Sequence, residues 1–442
     1  MVLVFTIILA LVFILVAIIK FDIHPFLALF VGAIGYGLLA GMSPELILQS
    51  ISDGFGGVLG KIGLVILLGV IIGTFLEKTG GAFVIAQKVL SWIGEKSVML
   101  AMMITGWILS IPVFADSAFI MMNPINKTLS RKGNLPYVAT TVALTLGLTA
   151  SHSLVPPTPG PIATAGMLGA NLGLVIFWGI IVSALALVPC FFFIKFYVSR
   201  FHLEPQLIQA EQVADLKKYP SLGKAALPIL IPLLLIVLGS VAGYPTHPFG
   251  QNTLTTALLF LGHPVIALLL GAFLSFALPE KFDKQILSAT GWIGDSLMVA
   301  APVILITGAG GIFGKMLQNS GIADLVTANL SGANWGLLLP FLMAAALKTA
   351  QGSSTVAMIT TASIMAPLLG TLGLDTEQLR VFAVLAVGAG AMAVSHANDS
   401  FFWAMTQLTG MNIKLGNQTH SLGTLVLALS AISVIYIITF II

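Results

Sequence analysis

The stretch SHSLVPPTPGP, residues 151–161, interrupts an apolar run that covers residues 135–169. Its four prolines lie within six residues, and proline both removes a backbone donor and sterically ends a helix. A second polar stretch, SHANDS at residues 395–400, interrupts the run at 379–411. Non-helical backbone at membrane depth is tolerated only where it is buried in protein or lines a wet cavity. We therefore expect two broken helices, with a binding site at the breaks.

The composition predicts a membrane protein. Hydrophobic residues make up 58% of the chain and charged residues only 8%, and apolar runs of about twenty residues recur from end to end. The first run, residues 2–19, has no basic stretch before it and no cleavage site after it, so we expect an uncleaved span of a bacterial inner-membrane protein surrounded by lipid. The small net charge of +3 gives no support for nucleic-acid binding. The single cysteine, Cys190, excludes an internal disulfide, and we expect no metal and no cofactor.

The apolar runs predict about ten full transmembrane helices. We place them at residues 2–19, 24–41, 56–76, 135–169, 172–194, 225–243, 257–278, 291–314, 379–411 and 421–442. Two further stretches, hairpin one (97–129) and hairpin two (335–370), are too long for one span and carry polar residues midway. We expect each to be a re-entrant helix-turn-helix.

The loop charges predict the orientation. With Lys20 on the cytoplasmic side, most of the 19 lysines and arginines fall on that side, as expected for cytoplasmic loops. Both termini are then periplasmic, and residues 201–224 form the main cytoplasmic linker.

The two halves of the chain resemble each other at a nearly constant offset. The matching elements are His24-Pro25 with His263-Pro264 (offset 239), Gly73–Gly80 with Gly314–Gly321 (241), Pro124 with Pro367 (243), and Ser151-His152 with Ser395-His396 (244). Five spans separate equivalent points, and an odd number turns the second copy upside down. We expect a first repeat at 1–200, with spans 1–5 and hairpin one, and an inverted second repeat at 225–442, with spans 6–10 and hairpin two.

The hairpin turns and the two breaks supply the candidate site. Helix N-termini at such turns present free amide groups and a partial positive charge, which suit a small organic anion. The candidate substrate-binding residues are Asp116, Ser117, Ser151, His152, Ser153, Thr158, Gly352, Ser353, Ser354, Thr355, Ser395, His396, Asn398, Asp399 and Ser400.

Four ionisable residues inside spans are candidates for proton coupling: Asp116, His152, His396 and Asp399. Each could instead hold the unwound backbone by hydrogen bonding. Lys348, in the arm of hairpin two, either pairs with substrate or extends its ammonium to the interface, and we favour the second.

The sequence resembles the gluconate permease family of the ion transporter superfamily. The resemblance covers essentially the whole chain and rests on the motifs at 24–29 (HPFLAL), 114–116 (FAD), 155–157 (VPP), 308–311 (GAGG), 354–358 (STVAM) and 399–403 (DSFFW). It implies a dimeric elevator-type carrier that imports sugar acids such as gluconate with protons, with Asp116 where relatives carry an acidic residue. Thr158 stands where relatives commonly have histidine after the paired prolines.

Several functions compete at this point. The first is a proton-coupled importer of gluconate or a similar small hydroxy acid, and the second is a proton symporter for D-serine. A third, from another class, is an intramembrane hydrolase that uses Ser or Asp with His. The repeat argues against an enzyme, because Ser-His recurs in both copies whereas catalysis needs one asymmetric constellation. A passive channel is disfavoured by hairpins that close the path from both sides.

Overall fold

The structure is entirely helical over the residues that it describes. It is a computed structural model and describes residues 2–21, 23–93, 97–203, 219–243, 248–281, 283–320, 336–396 and 399–441. Every regular element within these ranges is an α-helix, or a short 3₁₀ or π segment. The predicted all-α class is confirmed.

The first half contains nine α-helices within the described ranges. They are α1 (Val2–Ile19), α2 (Pro25–Leu39), α3 (Pro44–Lys78), α4 (Gly81–Ile93), α5 (Val98–Leu109), α6 (Ala115–Lys132), α7 (Tyr137–Leu154), α8 (Pro159–Leu168) and α9 (Leu172–Phe196). The residues predicted as hairpin one contain the helix pair α5–α6. The short helix α4 was not predicted, because a helix of 13 residues is too short to be recognised as a span.

The second half contains ten α-helices within the described ranges, among them a helix pair and a broken helix. Its elements in the described ranges are α10 (Leu222–Ala242), α11 (Thr253–Leu261), α12 (Pro264–Ser275), α13 (Trp292–Asn319), α14 (Leu338–Gln351), α15 (Ser354–Met365), α16 (Glu377–Gly390), α17 (Ser400–Thr409), α18 (Ile413–Gly416), a π-helical turn (Asn417–Ser421) and α19 (Leu422–Ile441). Hairpin two is the pair α14–α15. Most of the predicted linker, residues 204–218, and position 335 of hairpin two lie outside the described residues.

Six helical stretches among the described residues are long and apolar enough to cross a membrane. They are Pro44–Lys78, Tyr137–Leu168, Leu172–Arg200, Leu222–Ala242, Lys284–Asn319 and Ile413–Ile441. The pair α11–α12 makes a seventh if it counts as one span, with a bend of 68°. The predicted span at 257–278 contains this bend, because Pro264 begins a new helix and disfavours helical backbone at His263.

Local sequence sets several helix starts. The His24 side chain accepts a hydrogen bond from the Phe26 amide (3.3 Å) at the start of α2. Asn171 accepts one from the Leu174 amide (3.1 Å) and so starts α9 directly after α8. Each side chain satisfies an amide that the helix itself leaves without an acceptor.

The two long helices α3 and α13 pack along each other at backbone distance. A Cβ atom at Gly54 would lie 2.6 Å from the carbonyl oxygen of Gly311, so only glycine permits this approach. Small residues allow close helix packing in a membrane, where apolar burial alone drives little association.

Both helix breaks lie deep inside the bundle. In one apolar 18-residue part of the stretch Tyr137–Leu168, which contains α7, the first break and α8, 94% of the residues are buried, against 33–50% in the other five candidate spans. The last ten residues of α16, which leads to the second break, are all buried. The α7 and α16 helices each pack on the first arm of a hairpin, α5 and α14 respectively. This packing brings the hairpin turns and the breaks together.

The α5–α7 contact generates a stability prediction. A Cβ atom at Gly147 would collide with the carbonyl oxygen of Met103. We expect Gly147→Ala to destabilise the protein by about 1–3 kcal/mol, since overpacked backbone must shift. Thermal unfolding of the detergent-solubilised protein measures the change. Gly57→Ala is the matched control, because nothing lies within 4 Å of its added Cβ; equal midpoints for the two variants would contradict the packing argument.

Candidate functional site

Both hairpin turns and both helix breaks meet at one cavity of about 130 Å³. Its lining residues are Phe114, Ala115, Asp116, Thr149, His152, Ser153, Lys348, Ser353, Ser354, Thr355, Met392, Ser395, Asp399, Ser400 and Phe401. Four segments distant in sequence thus contribute to a single polar chamber inside an apolar bundle. A concave site with a few converging polar groups is the usual form of a small-molecule site.

The tip of hairpin two turns at a left-handed glycine. Gly352 has a φ of 88°, which ends α14, and the Ser353 side chain then accepts a hydrogen bond from the Val356 amide (3.3 Å) to start α15. Ser354 and Thr355, in the first turn of α15, line the cavity. The N-terminus of α15 therefore points its amides and its positive dipole end at the chamber.

The tip of hairpin one is a longer turn. The Ser110 hydroxyl donates to the carbonyl of Val113 (3.2 Å), and α6 begins at Ala115 with Asp116 in its first turn. Asp116 lines the cavity, and no hydrogen bond within the described part of the chain reaches its carboxylate.

A buried ion pair connects hairpin two to the second break. Lys348 Nζ lies 2.5 Å from Asp399 Oδ2, and their side chains are 3% and 8% exposed. Lys348 also donates to the carbonyl of Gly352. The preferred prediction that Lys348 extends to the interface is wrong, because its ammonium is buried with a carboxylate partner that lies 51 residues away in sequence.

Asp399 is held on both oxygens. The Ser395 hydroxyl donates to Oδ2 at 2.5 Å, and the Phe401 amide donates to Oδ1 at 3.0 Å, where Asp399 caps α17. Charge-assisted hydrogen bonds of this kind are strong, so the carboxylate is fixed in place.

The π-helical turn before α19 supports the second break from behind. The Ser421 hydroxyl donates to the carbonyl of Ser395, and the Ser395 amide donates to Thr424 Oγ1 at 3.0 Å. Two backbone groups that the break takes out of helical bonding are thereby satisfied. Sequence reasoning did not identify this support, because serine and threonine in an apolar helix give no signal of their partner.

Two residues beside the first break that line the cavity, His152 and Ser153, each have an unpartnered polar atom. His152 Nδ1 and Ser153 Oγ are buried and have no hydrogen-bond partner among the described residues. The His152 ring lies 6.1 Å from that of Phe114 on hairpin one. Buried polar atoms are normally hydrogen-bonded, so these two are available to a bound molecule.

Five predicted site residues do not line the cavity. Ser117 lies beside Glu77 of α3, and Ser151 bonds to its own helix. Thr158 donates to the carbonyl of Val155 (2.8 Å), and Gly352 forms the hairpin turn. His396 Nε2 lies 3.0 Å from the carbonyl oxygen of Thr349. Asn398 lies outside the described residues.

The structure adds lining residues that the sequence did not mark. These are Phe114, Ala115, Thr149, Lys348, Met392 and Phe401. Apart from Lys348, all are apolar or backbone-bonded residues that resemble ordinary core. Only their nearness to the predicted breaks and turns could have identified them.

A polar chamber between paired hairpin turns and paired helix breaks, inside an apolar bundle, defines the class of the protein as a membrane transporter. The chain belongs to the GntP family of permeases, whose pattern it matches over residues 1–441. The protein is therefore a permease and not an enzyme, and the alternative of an intramembrane hydrolase is wrong.

Three curated relatives illustrate the similarity. The gluconate permease of Pseudomonas aeruginosa is 35% identical over 412 residues, which cover 90% of this chain and 89% of that protein. The high-affinity gluconate transporter of Escherichia coli is 30% identical over 406 residues and 90% of each chain. The D-serine transporter DsdX of Escherichia coli is 30% identical over 444 residues, 99% of this chain and 98% of that protein.

Two solved structures share the fold. The Neisseria gonorrhoeae protein MtrF, described among antimetabolite efflux pumps, has a TM-score of 0.63 at 12% identity and covers 88% of this chain and 83% of its own. The YdaH transporter of Alcanivorax borkumensis has a TM-score of 0.54 at 15% identity and covers 90% of both chains.

The buried ion pair generates the second prediction. Removing one partner leaves an uncompensated charge in the bundle, so Lys348→Met and Asp399→Asn should each cost about 3–5 kcal/mol of stability. The double variant Lys348→Met/Asp399→Asn should recover most of that loss, as measured by thermal unfolding of the four proteins. Losses that simply add would show that the two charges do not interact.

Proposed function

We propose that the protein imports gluconate or a related small hydroxy acid together with protons. The observation that carries the proposal is the enclosed chamber, in which one buried lysine, a helix N-terminus and several hydroxyl groups converge. These groups match a molecule with one carboxylate and several hydroxyls. Similarity over nearly the whole length to transporters named for gluconate supports the same substrate class.

The charges in the chamber give a reason for proton coupling. The described lining residues include two carboxylates, Asp116 and Asp399, and one lysine, Lys348. Asp399 and Lys348 neutralise each other, so an ionised Asp116 leaves one net negative charge that repels an incoming anion. A proton on Asp116 removes that charge and lets the carboxyl group donate a hydrogen bond. Anion and proton then bind together, which is the requirement for symport.

The third prediction concerns Asp116. With the purified protein in liposomes, Asp116→Asn should still exchange labelled gluconate across the membrane. It should lose the accumulation driven by an inward proton gradient, which for one coupled proton reaches about tenfold per pH unit. Asp53→Asn, which removes a carboxylate of α3 outside the chamber, should retain gradient-driven accumulation. Unchanged accumulation by Asp116→Asn would contradict proton coupling at this residue.

D-serine is the second candidate substrate. The unpaired Asp116 carboxylate shares the chamber with Lys348, so a zwitterion could place its ammonium on the aspartate and its carboxylate on the lysine. The D-serine transporter DsdX matches 99% of this chain. Competition of labelled gluconate uptake by unlabelled D-serine and gluconate separates the candidates, because only the true substrate competes at low concentration.

The proposed architecture is an inverted repeat of about ten spans and two re-entrant hairpins. The recurrence of helix order and of the two breaks in both halves supports it. By family resemblance we also propose a homodimer in the bacterial inner membrane, and by loop charge we place both termini in the periplasm.

Unequal contacts of equivalent glycines support an elevator mechanism. Gly73 of α3 and Gly314 of α13 correspond at the offset of 241. Gly73 faces the carbonyl oxygen of Pro112 at the tip of hairpin one, whereas Gly314 faces Ser363. Equivalent hairpin positions in the two halves differ by 243 residues, so Pro112 corresponds to Thr355. Thr355 lies eight residues before Ser363, which is roughly 12 Å along the helix. We infer that the hairpins and broken helices move against α3 and α13 by about this distance between the two access states.

The fourth prediction tests this movement. A Cβ atom at Gly310, one turn before Gly314 in α13, would lie 2.5 Å from Ser363 Oγ, so cysteines at positions 310 and 363 are within reach of a disulfide. In a Cys190→Ser background, which removes the only native thiol, Gly310→Cys/Ser363→Cys should lose gluconate exchange on oxidation and regain it on reduction. The two single-cysteine variants should not respond to oxidant. Full exchange by the cross-linked protein would contradict movement between α13 and hairpin two.

A further inference from the structure

We propose that the chamber is polarised. One wall, formed by hairpin two and the second break, takes the carboxylate of the substrate, and the other wall, formed by α7 at the first break, takes its hydroxyl groups. The inference rests on the proposed function, because it assigns the two ends of the same small hydroxy acid.

The two hairpins differ in what occupies their helix N-termini. Both α6 and α15 begin at the chamber, and each contributes first-turn residues to its lining. The first turn of α6 carries its own carboxylate, Asp116, whereas the first turn of α15 carries no acidic residue. The positive end of a helix dipole stabilises an anion. Asp116 already supplies a negative charge at the N-terminus of α6, so of these two helices only α15 has an N-terminus available to a substrate anion.

Lys348 strengthens the same wall. It is the one lysine or arginine among the described lining residues, and it is only 2% exposed. Its ammonium has three protons, of which one goes to Asp399 and one to the carbonyl of Gly352. The third can bond to a substrate oxygen without breaking the ion pair. The wall that takes the substrate carboxylate therefore offers a positive charge, a helix N-terminus and the Ser353–Thr355 turn.

The opposite wall is neutral, and two of its polar atoms have no hydrogen-bond partner among the described residues. The unpartnered atoms His152 Nδ1 and Ser153 Oγ belong to two residues of the last turn of α7 that line the chamber. Thr149, one turn earlier, donates its hydroxyl proton to the carbonyl of Thr145 (2.9 Å) and keeps its lone pairs free to accept. Uncharged donors and acceptors in a buried wall match hydroxyl groups, since each unpaired polar atom gains a partner and no charge is added.

This arrangement identifies Ser153 as a determinant of specificity. A hydroxyl on the substrate chain would satisfy Ser153 Oγ, whereas a carboxylic acid without distal hydroxyls would leave it unpaired. Sites that bond a substrate hydroxyl discriminate against analogues that lack it, for this reason.

The test compares three acids that share a carboxylate and differ in hydroxyl number: gluconate, glycerate and propionate. Each competes with labelled gluconate for uptake by the full-length protein in liposomes. We expect Ser153→Ala to weaken gluconate about three- to tenfold, the effect of one neutral hydrogen bond, and to leave inhibition by propionate unchanged. The double variant Lys348→Met/Asp399→Asn, in which the ion pair is replaced as a unit, should weaken all three acids by a similar factor.

The control is Thr140→Val, which removes a hydroxyl from the same helix. The Thr140 side chain bonds to the carbonyl of Tyr137 (3.1 Å) and lies more than three turns from Ser153, so all three acids should compete as with the unmodified protein. A uniform loss for all acids in Ser153→Ala, or a loss graded by hydroxyl number in the double variant, would overturn the polarity while leaving the proposed function intact. Failure of the unmodified protein to take up gluconate would overturn the proposed function and the polarity together.

Discussion

The buried pair of Lys348 and Asp399 is the interaction on which the site depends. Its two members belong to discontinuous elements, the first arm of hairpin two and the start of α17 after the second break. In an apolar bundle a lone charge is costly, so the pair holds both elements in one geometry. The serine hydroxyl and backbone amide that also bond to Asp399 make the carboxylate a fixed point of the unwound segment. The chamber exists because this segment has partners for its polar groups.

Around this pair, a repeated frame carries unequal chemistry. Each half supplies a hairpin and a broken helix, and the four meet at one chamber. One hairpin carries a carboxylate at its helix N-terminus and the other does not, while the only lining lysine among the described residues lies in the second half. Under the proposed inverted repeat, duplication would account for the shape of the site, and divergence of individual side chains would account for its charge. Two acids and one base in the chamber are the basis of the proposed proton coupling.

Local chemistry made much of this predictable from the sequence. The prolines of residues 156–161 indicated the first break directly, because no helix can continue through them. The second break has no proline, and it was expected from the polar stretch SHANDS at residues 395–400 and from its match to the first break. The bend at His263 was missed although His263-Pro264 had been noticed as a repeat match, because the apolar run was given more weight than the proline.

Tertiary partners were the part that sequence could not supply. Lys348 was misread because its partner lies in another element, and a lysine alone near a span end usually reaches the interface. The roles of Ser421 and Thr424 were invisible for the same reason, since a hydroxyl in an apolar helix most often bonds within its own turn. Composition and periodicity specify which segments form helices, whereas the pairing of buried polar groups depends on which helices become neighbours.

The π-helical turn at Asn417–Ser421 has a consequence for how the chain can tolerate changes in length. A π turn holds one more residue than an α turn, and each residue of an α-helix advances the direction of its side chains by about 100°. Deleting one residue here would rotate Ser421 and Thr424 away from the second break, or else rotate the whole of α19 against its neighbours. Insertions and deletions should therefore be excluded from this turn far more strictly than from the loops between helices, even though none of its residues touches the chamber.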